Sequence, residues 1–76
     1  MPPPIVLSIA GSDCSAGAGI QADLKAIEAN GAFALTAVTC VVAETPGNVA
    51  AIEVMPAKLV GEQVRMLLDT YPVAAV

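Results

Sequence analysis

Hydrophobic residues in this chain occur in short segments with two different spacings. Residues 5–10 are almost continuously apolar and contain β-branched side chains, which predicts a parallel strand covered on both faces. Between residues 17 and 30, Ile20, Leu24 and Ile27 recur at intervals of four and three positions, and this spacing predicts an amphipathic helix. The solvated face of that helix is expected to carry Gln21, Lys25 and Glu28.

The remaining segments predict three more strands, one of them short, and a second helix. Residues 33–43 are apolar and rich in Val and Thr, which predicts a buried strand that starts near Leu35. Residues 49–54 predict a short strand, Pro56 suits the first turn of a helix, and residues 73–76 predict a final strand. The inner stripe of the second helix is expected to consist of Leu59, Val60, Val64, Leu67 and Leu68.

This order of elements predicts an α/β fold, the opening portion of a doubly wound, mostly parallel sheet with right-handed crossovers. Hydrophobic residues make up 57% of the chain and charged residues 13%, against typical values of about 45–50% and 25%. This composition is too apolar for a lone small domain. We therefore interpret residues 1–76 as the N-terminal part of one domain that is truncated at a core strand.

Charge, hydrophobic run length and cysteine content restrict the binding partners and the cellular setting that we expect for this chain. Seven acidic and three basic residues give a net charge of −4, and only one Tyr and one Phe are available to stack on bases, so nucleic-acid binding is not expected. No apolar run approaches the 18 or so residues that a membrane span needs, and no signal peptide is evident. Cys14 and Cys40 make no disulfide framework, which indicates a reducing, cytoplasmic setting.

The small-residue segment after the first strand is the candidate ligand site. Gly11, Gly17 and Gly19 remove side chains where a backbone turns sharply or approaches a ligand, and the following helix offers free N–H groups. Asp13 either faces a polar ligand or forms a turn, and Asp23 either faces the ligand or lies in solvent. Glu44 ends the second strand at the carboxyl edge of the sheet, where open α/β folds bind ligands.

Two nucleotide-binding motifs are relevant to the same segment. Residues 17–22 match G-x-G-x-x-A, but the first Gly of a dinucleotide fingerprint belongs in the turn at the strand end, and six residues separate Ala10 from Gly17. A dinucleotide-dependent oxidoreductase is therefore disfavoured. A Walker A loop is excluded because no Gly-Lys-Ser or Gly-Lys-Thr follows the glycines.

Residues 10–25 read A-G-S-D-x-S-x-G-A-G-I-Q-A-D-L-K, and this string closely resembles the N-terminal region of hydroxymethylpyrimidine and phosphomethylpyrimidine kinases of thiamine biosynthesis. These enzymes belong to the ribokinase superfamily, and the resemblance covers essentially the whole chain. It implies a three-layer α/β/α sandwich and ATP-dependent phosphorylation of the hydroxymethyl group of a 4-amino-pyrimidine with Mg²⁺. It also implies a homodimer for the complete protein.

The resemblance assigns this chain the substrate side of such a kinase, while the catalytic Asp, the glycine-rich anion hole and most of the ATP and Mg²⁺ sites belong to the C-terminal half. No catalytic residue and no metal ligand are therefore expected in residues 1–76. The substrate-binding residues that the resemblance implies are Gly11, Ala18, Gly19, Asp23, Val42 and Glu44.

Two positions depart from the family pattern. Pyrimidine kinases are associated with Gln at the position of Glu44; an ionised carboxylate accepts from an exocyclic amine but cannot donate to a ring nitrogen. Ala16 stands where Gly is common, which reduces the freedom of the loop. A pyridoxal-type vitamin kinase and a non-catalytic ligand-binding or assembly module therefore stay open as alternatives.

Overall fold

The computed structural model describes residues 2–76, which form four strands and two helices. In chain order these are β1 (Ile5–Asp13), α1 (Gly19–Ala29), β2 (Phe33–Thr45), β3 (Asn48–Val54), α2 (Ala57–Thr70) and β4 (Val73–Ala75). Every predicted element is present and the α/β class is confirmed. In the described residues, no helix is both long and apolar enough to cross a membrane.

The four strands form one sheet in the order β3-β2-β1-β4. β1 pairs in parallel with β2 and with β4, whereas β3 folds back antiparallel on β2. The predicted end of the first strand at Ala10 is wrong, because Ser12 pairs with Val41 and Asp13 with Val42. Polar Ser12 and Asp13 interrupt the hydrophobic pattern, but their backbones continue the ladder.

The parallel ladder contains a bulge near the carboxyl end of the sheet. Ala10 pairs with Val38, but the next aligned pair is Ser12 with Val41, so Gly11 faces two residues of β2 where it would ordinarily face one. Such an insertion changes which side chains of the longer strand share a face with their partners. Beyond the bulge, Val42 is aligned with Asp13.

The helices differ in how deeply they pack. Leu7, Ile20 and Ala37 are the buried apolar residues, and α1 contributes one of them. α2 contributes none, and the prediction that Leu59 and Leu68 lie on an inner stripe is wrong for the described chain, where they are 43% and 50% exposed. The physical reason is that, among the described elements, α2 packs substantially against β2 alone, so few neighbours cover its apolar face.

Candidate functional site

The loop between β1 and α1 is organised by the carboxylate of Asp13. Its Oδ1 accepts hydrogen bonds from the backbone N–H of Ser15 at 2.9 Å and from the Ser15 hydroxyl at 2.7 Å. Its Oδ2 accepts from the backbone N–H of Ala18 at 2.9 Å. Of the two roles that the sequence left open for Asp13, the structure therefore supports the turn-forming one.

These bonds also affect the ionisation of Asp13, which is 5% exposed. The hydrogen bond from the Ser15 hydroxyl, helped by bonds from backbone N–H groups, lowers the pKa of Asp13 below its ordinary value. Burial acts in the opposite direction but is outweighed. The loop therefore depends on an ionised carboxylate.

Hydrogen bonds of the Gln21 side chain connect the first turn of α1 to the end of β1. Its side-chain oxygen accepts from the backbone N–H of Asp13 at 2.9 Å, and its Nε2 donates to the Ser12 hydroxyl at 2.7 Å. The expectation that Gln21 lies on the solvated helix face is wrong for this reason. The hydrophobic pattern did not indicate this contact, because the partners of the Gln21 amide are the hydroxyl of Ser12 and the backbone N–H of Asp13.

Gly19 and Gly11 lie where two backbones approach closely. Gly19 begins α1 with φ of +63°, and a Cβ there would overlap the carbonyl oxygen of Gly11. Gly11 belongs to β1 and not, as predicted, to a loop; a Cβ on it would lie 2.6 Å from the sulfur of Cys40. The absence of both side chains lets the start of α1 sit directly on the end of β1.

A thiol links the loop to the end of β2. Cys14 Sγ donates to the carbonyl oxygen of Glu44 at 3.1 Å and accepts from the backbone N–H of Glu44 at 3.3 Å. The sequence indicates only that Cys14 makes no disulfide framework with Cys40. The side chain instead holds the backbone of a predicted ligand-binding residue.

Five of the six predicted substrate-binding residues line one cleft at the carboxyl ends of β1 and β2. This cleft has a volume of about 120 Å³, and its predicted members are Gly11, Ala18, Gly19, Val42 and Glu44. An adjoining cleft of about 310 Å³ shares Asp13, Ala18 and Glu44 with it and extends to the β2–β3 turn. Together they reach the size of small-molecule sites, about 300–1,000 Å³.

The sixth residue, Asp23, lies elsewhere. Its Oδ2 accepts a hydrogen bond from the hydroxyl of buried Ser8 at 2.6 Å. It lines a separate groove of about 370 Å³ between β1 and α1, together with Val6, Ile27 and Val76. Within residues 2–76, Asp23 and Glu44 therefore line different clefts.

The chemistry of the cleft is acidic and partly apolar. Glu44 supplies acceptor oxygens, Val42 supplies an apolar wall, and no side chain within residues 2–76 caps the first turn of α1, whose N-cap is Ala18. Such a combination suits a small polar ring that carries hydrogen-bond donors. Within the same residues, no group of three His, Cys, Asp or Glu side chains could hold a metal ion.

Comparisons with known proteins agree with this geometry. Residues 13–76 match the family described as phosphomethylpyrimidine kinase. The hydroxymethylpyrimidine/phosphomethylpyrimidine kinase of Streptomyces coelicolor is 42% identical over 74 residues, which are 97% of this chain and 28% of that protein. A bifunctional thiamine-biosynthetic enzyme of Arabidopsis thaliana is 40% identical over 90% of this chain, which spans 13% of its length.

Solved structures show the same fold. The phosphomethylpyrimidine kinase of Clostridium difficile 630 superimposes with a TM-score of 0.87 and 38% identity, over 91% of this chain and 32% of its own. A pyridoxal kinase of Staphylococcus aureus, solved with AMP-PCP and pyridoxal, gives a TM-score of 0.81 and 34% identity over 96% of this chain and 28% of its own. The ribokinase-like fold prediction is thus confirmed, and the chain belongs to the phosphomethylpyrimidine kinase family.

Proposed function

We propose that this chain supplies the substrate-binding part of a kinase that phosphorylates the hydroxymethyl group of 4-amino-5-hydroxymethyl-2-methylpyrimidine in thiamine biosynthesis. The observation that carries the proposal is the cleft in which Gly11, Ala18, Gly19, Val42 and Glu44 meet. Family membership supports the reaction class, and the position of the cleft at the carboxyl edge of a parallel sheet supports a ligand site.

Each residue of the cleft has a role that its chemistry supports. The Glu44 carboxylate accepts a hydrogen bond from the exocyclic 4-amino group, and Val42 packs against the ring. The absence of side chains at Gly11 and Gly19 lets α1 approach β1 closely, and this approach shapes the wall of the cleft. Cys14 and Gln21 do not touch the ligand but hold Glu44 and the start of α1.

The reaction transfers the γ-phosphoryl group of ATP to the hydroxyl oxygen of the substrate. The bond between the γ-phosphorus and the β–γ bridging oxygen breaks and ADP leaves, a P–O bond forms to the substrate, and the hydroxyl proton passes to a base. Since phosphoryl transfer depends on positioning and charge stabilisation, the contribution of this chain is to hold the alcohol. The described residues do not fit a Mg²⁺ site, because they contain no cluster of three suitable ligands. We assign the nucleotide, the metal and the base to other parts of the complete protein.

The proposal has three further parts. Asp23 is retained as a substrate-binding candidate, although its Oδ2 is bonded to Ser8 in this chain. Homodimer formation is proposed for the complete protein, and the exposed apolar side chains of β3 support an interface. A cytoplasmic setting is proposed because Cys14 and Cys40 are free thiols.

Glu44 provides the test of the function. In the native gene product, we expect Glu44→Ala to raise the KM for the pyrimidine alcohol about 10- to 150-fold with little change in kcat, since a hydrogen bond to a charged group contributes about 1.5–3 kcal/mol. Glu28→Ala, on the exposed face of α1, is the matched control and should leave KM unchanged. An unaltered KM in Glu44→Ala would overturn the assignment.

A pyridoxal-type kinase is the second candidate. It is favoured by the structural similarity to the Staphylococcus aureus pyridoxal kinase and by the carboxylate at position 44. The two candidates differ in their donors, because the pyrimidine carries an exocyclic amine and pyridoxal carries a phenolic hydroxyl. Measuring kcat/KM for both alcohols with one enzyme preparation decides between them, and the pyrimidine is expected to be preferred.

A further inference from the structure

The amide of Gln63, on α2, forms two hydrogen bonds with a single residue of β2. The backbone N–H of Val38 donates to Gln63 Oε1 at 3.0 Å, and Gln63 Nε2 donates to the carbonyl oxygen of Val38 at 3.0 Å. A neighbouring strand would ordinarily supply these two partners. Gln63 is half-buried and has no role in the hydrophobic pattern of its helix.

Val38 needs such a partner because β3 does not extend that far. β3 ends at Val54, which pairs with Cys40, and the last backbone bond of this hairpin runs from Met55 N–H to the Thr39 carbonyl at 2.9 Å. One residue further back, the outer edge of β2 would have an unpaired N–H and C=O. The Gln63 amide closes this edge at the point where the antiparallel pairing stops.

The bulge begins directly after Val38. Gly11 faces Thr39 and Cys40 together, and this one extra residue aligns Val42 with Asp13. Because side chains alternate along a strand, Glu44 then lies on the same face as Val42 and lines the cleft. Without the extra residue, Val41 and Ala43 would occupy these two places, and Glu44 would point to the other face.

We propose that Gln63 is a positioning residue that fixes the register of β2 and thereby keeps Glu44 in the ligand cleft. Val38 is aligned with Ala10 of β1 and is hydrogen-bonded on its outer side to Gln63, so the bulge is confined to Thr39 and Cys40. The part of the inference that concerns ligand binding rests on the function proposed above. The register itself does not, and the two are measured separately.

Cys14 provides a native reporter of the register. Its thiol is bonded to the backbone of Glu44, so a shift of β2 releases it. In the native protein we compare Gln63→Met, which keeps the length of the side chain without the amide, with Val64→Ala, which shortens a half-buried neighbour on the same helix. The readout is the rate at which iodoacetamide alkylates Cys14, followed by peptide mass spectrometry.

We expect Gln63→Met to accelerate Cys14 alkylation several-fold, whereas Val64→Ala leaves the rate near that of the wild type. An unchanged rate in Gln63→Met, or an equal acceleration in both variants, overturns the positioning role whatever the ligand measurements show. The Val64 variant thus separates loss of register from general loss of stability.

Ligand binding forms the second arm. We expect Gln63→Met to raise the Kd of the pyrimidine alcohol about tenfold, equivalent to about 1.4 kcal/mol, and this effect to disappear when Glu44 is already Ala. A rise that persists in the Glu44→Ala background shows that Gln63 does not act through Glu44 and overturns that step. If Glu44→Ala alone leaves the Kd unchanged while Cys14 alkylation responds to Gln63→Met, the proposed function fails and the register assignment stands.

Discussion

Replacing Gly19 by Ala tests the close contact between α1 and β1. Gly19 has φ of +63°, and an added Cβ would overlap the carbonyl oxygen of Gly11 and lie 3.3 Å from the backbone nitrogen of Asp13. Both neighbours are backbone atoms of β1, so neither moves aside by a simple change of rotamer. The helix start has to shift away from the sheet.

Two separate costs follow from this geometry. A left-handed conformation costs a non-glycine residue about 1–2 kcal/mol. Forcing additional atoms into a packed region typically costs about 1–3 kcal/mol more. Native domains have a free energy of unfolding of about 5–15 kcal/mol, so the expected loss of about 2–5 kcal/mol is a large fraction of it.

Gly31→Ala provides the matched control, because Gly31 has φ of +81° and a Cβ there would meet no atom within 4 Å. It should lose only the conformational cost, about 1–2 kcal/mol. Urea unfolding of the native protein, followed by far-ultraviolet circular dichroism, measures both free energies. Equal losses for Gly19→Ala and Gly31→Ala would refute the claim that the backbone of β1 excludes a side chain at position 19.

Two further predictions concern the loop between β1 and α1. Ala16 has φ of +63°, a conformation that glycine adopts at lower cost. Ala16→Gly should therefore raise the free energy of unfolding by about 0.5–1 kcal/mol in the same urea assay. A loss of stability would contradict this prediction. Because the folded pKa of Asp13 is lowered, its contribution to stability is present above the unfolded carboxyl pKa and is lost as pH falls through the folded pKa. Ser15→Ala lacks the main cause of the lowered pKa. Between neutral pH and about pH 3, the free energy of unfolding should therefore fall less steeply in this variant than in the wild type. Parallel curves for the two proteins would contradict this prediction.

The order of elements was predictable from the sequence because it depends on local patterns. The apolar runs of β1 and β2, the spacing of Ile20, Leu24 and Ile27, and Pro56 at the start of α2 all act through neighbouring residues. Resemblance to a family indicated five residues that line one cleft in the structure, and their role in substrate binding stays a prediction. Neither required knowledge of the exact pairing between strands.

What the sequence did not predict depends on contacts between distant residues. The bulge opposite Gly11 and the extension of β1 to Asp13 arise from pairing with β2, which leaves no periodic signal. Gln21 and Gln63 resemble ordinary solvated helix residues, and only the three-dimensional arrangement shows that each amide binds a strand. Asp23 illustrates the same limit, since its partner Ser8 is 15 residues away.

The way Asp13 holds its loop also determines how freely the loop sequence can vary. Two of the three groups that its carboxylate binds are backbone N–H groups, those of Ser15 and Ala18, and every residue type except proline provides one. The shape of the loop therefore requires specific side chains at positions 13 and 15, where the Ser15 hydroxyl also donates to Asp13, and much less at position 18. Libraries that vary the rim of the cleft for new ligands should keep Asp13 and Ser15 fixed and diversify position 18.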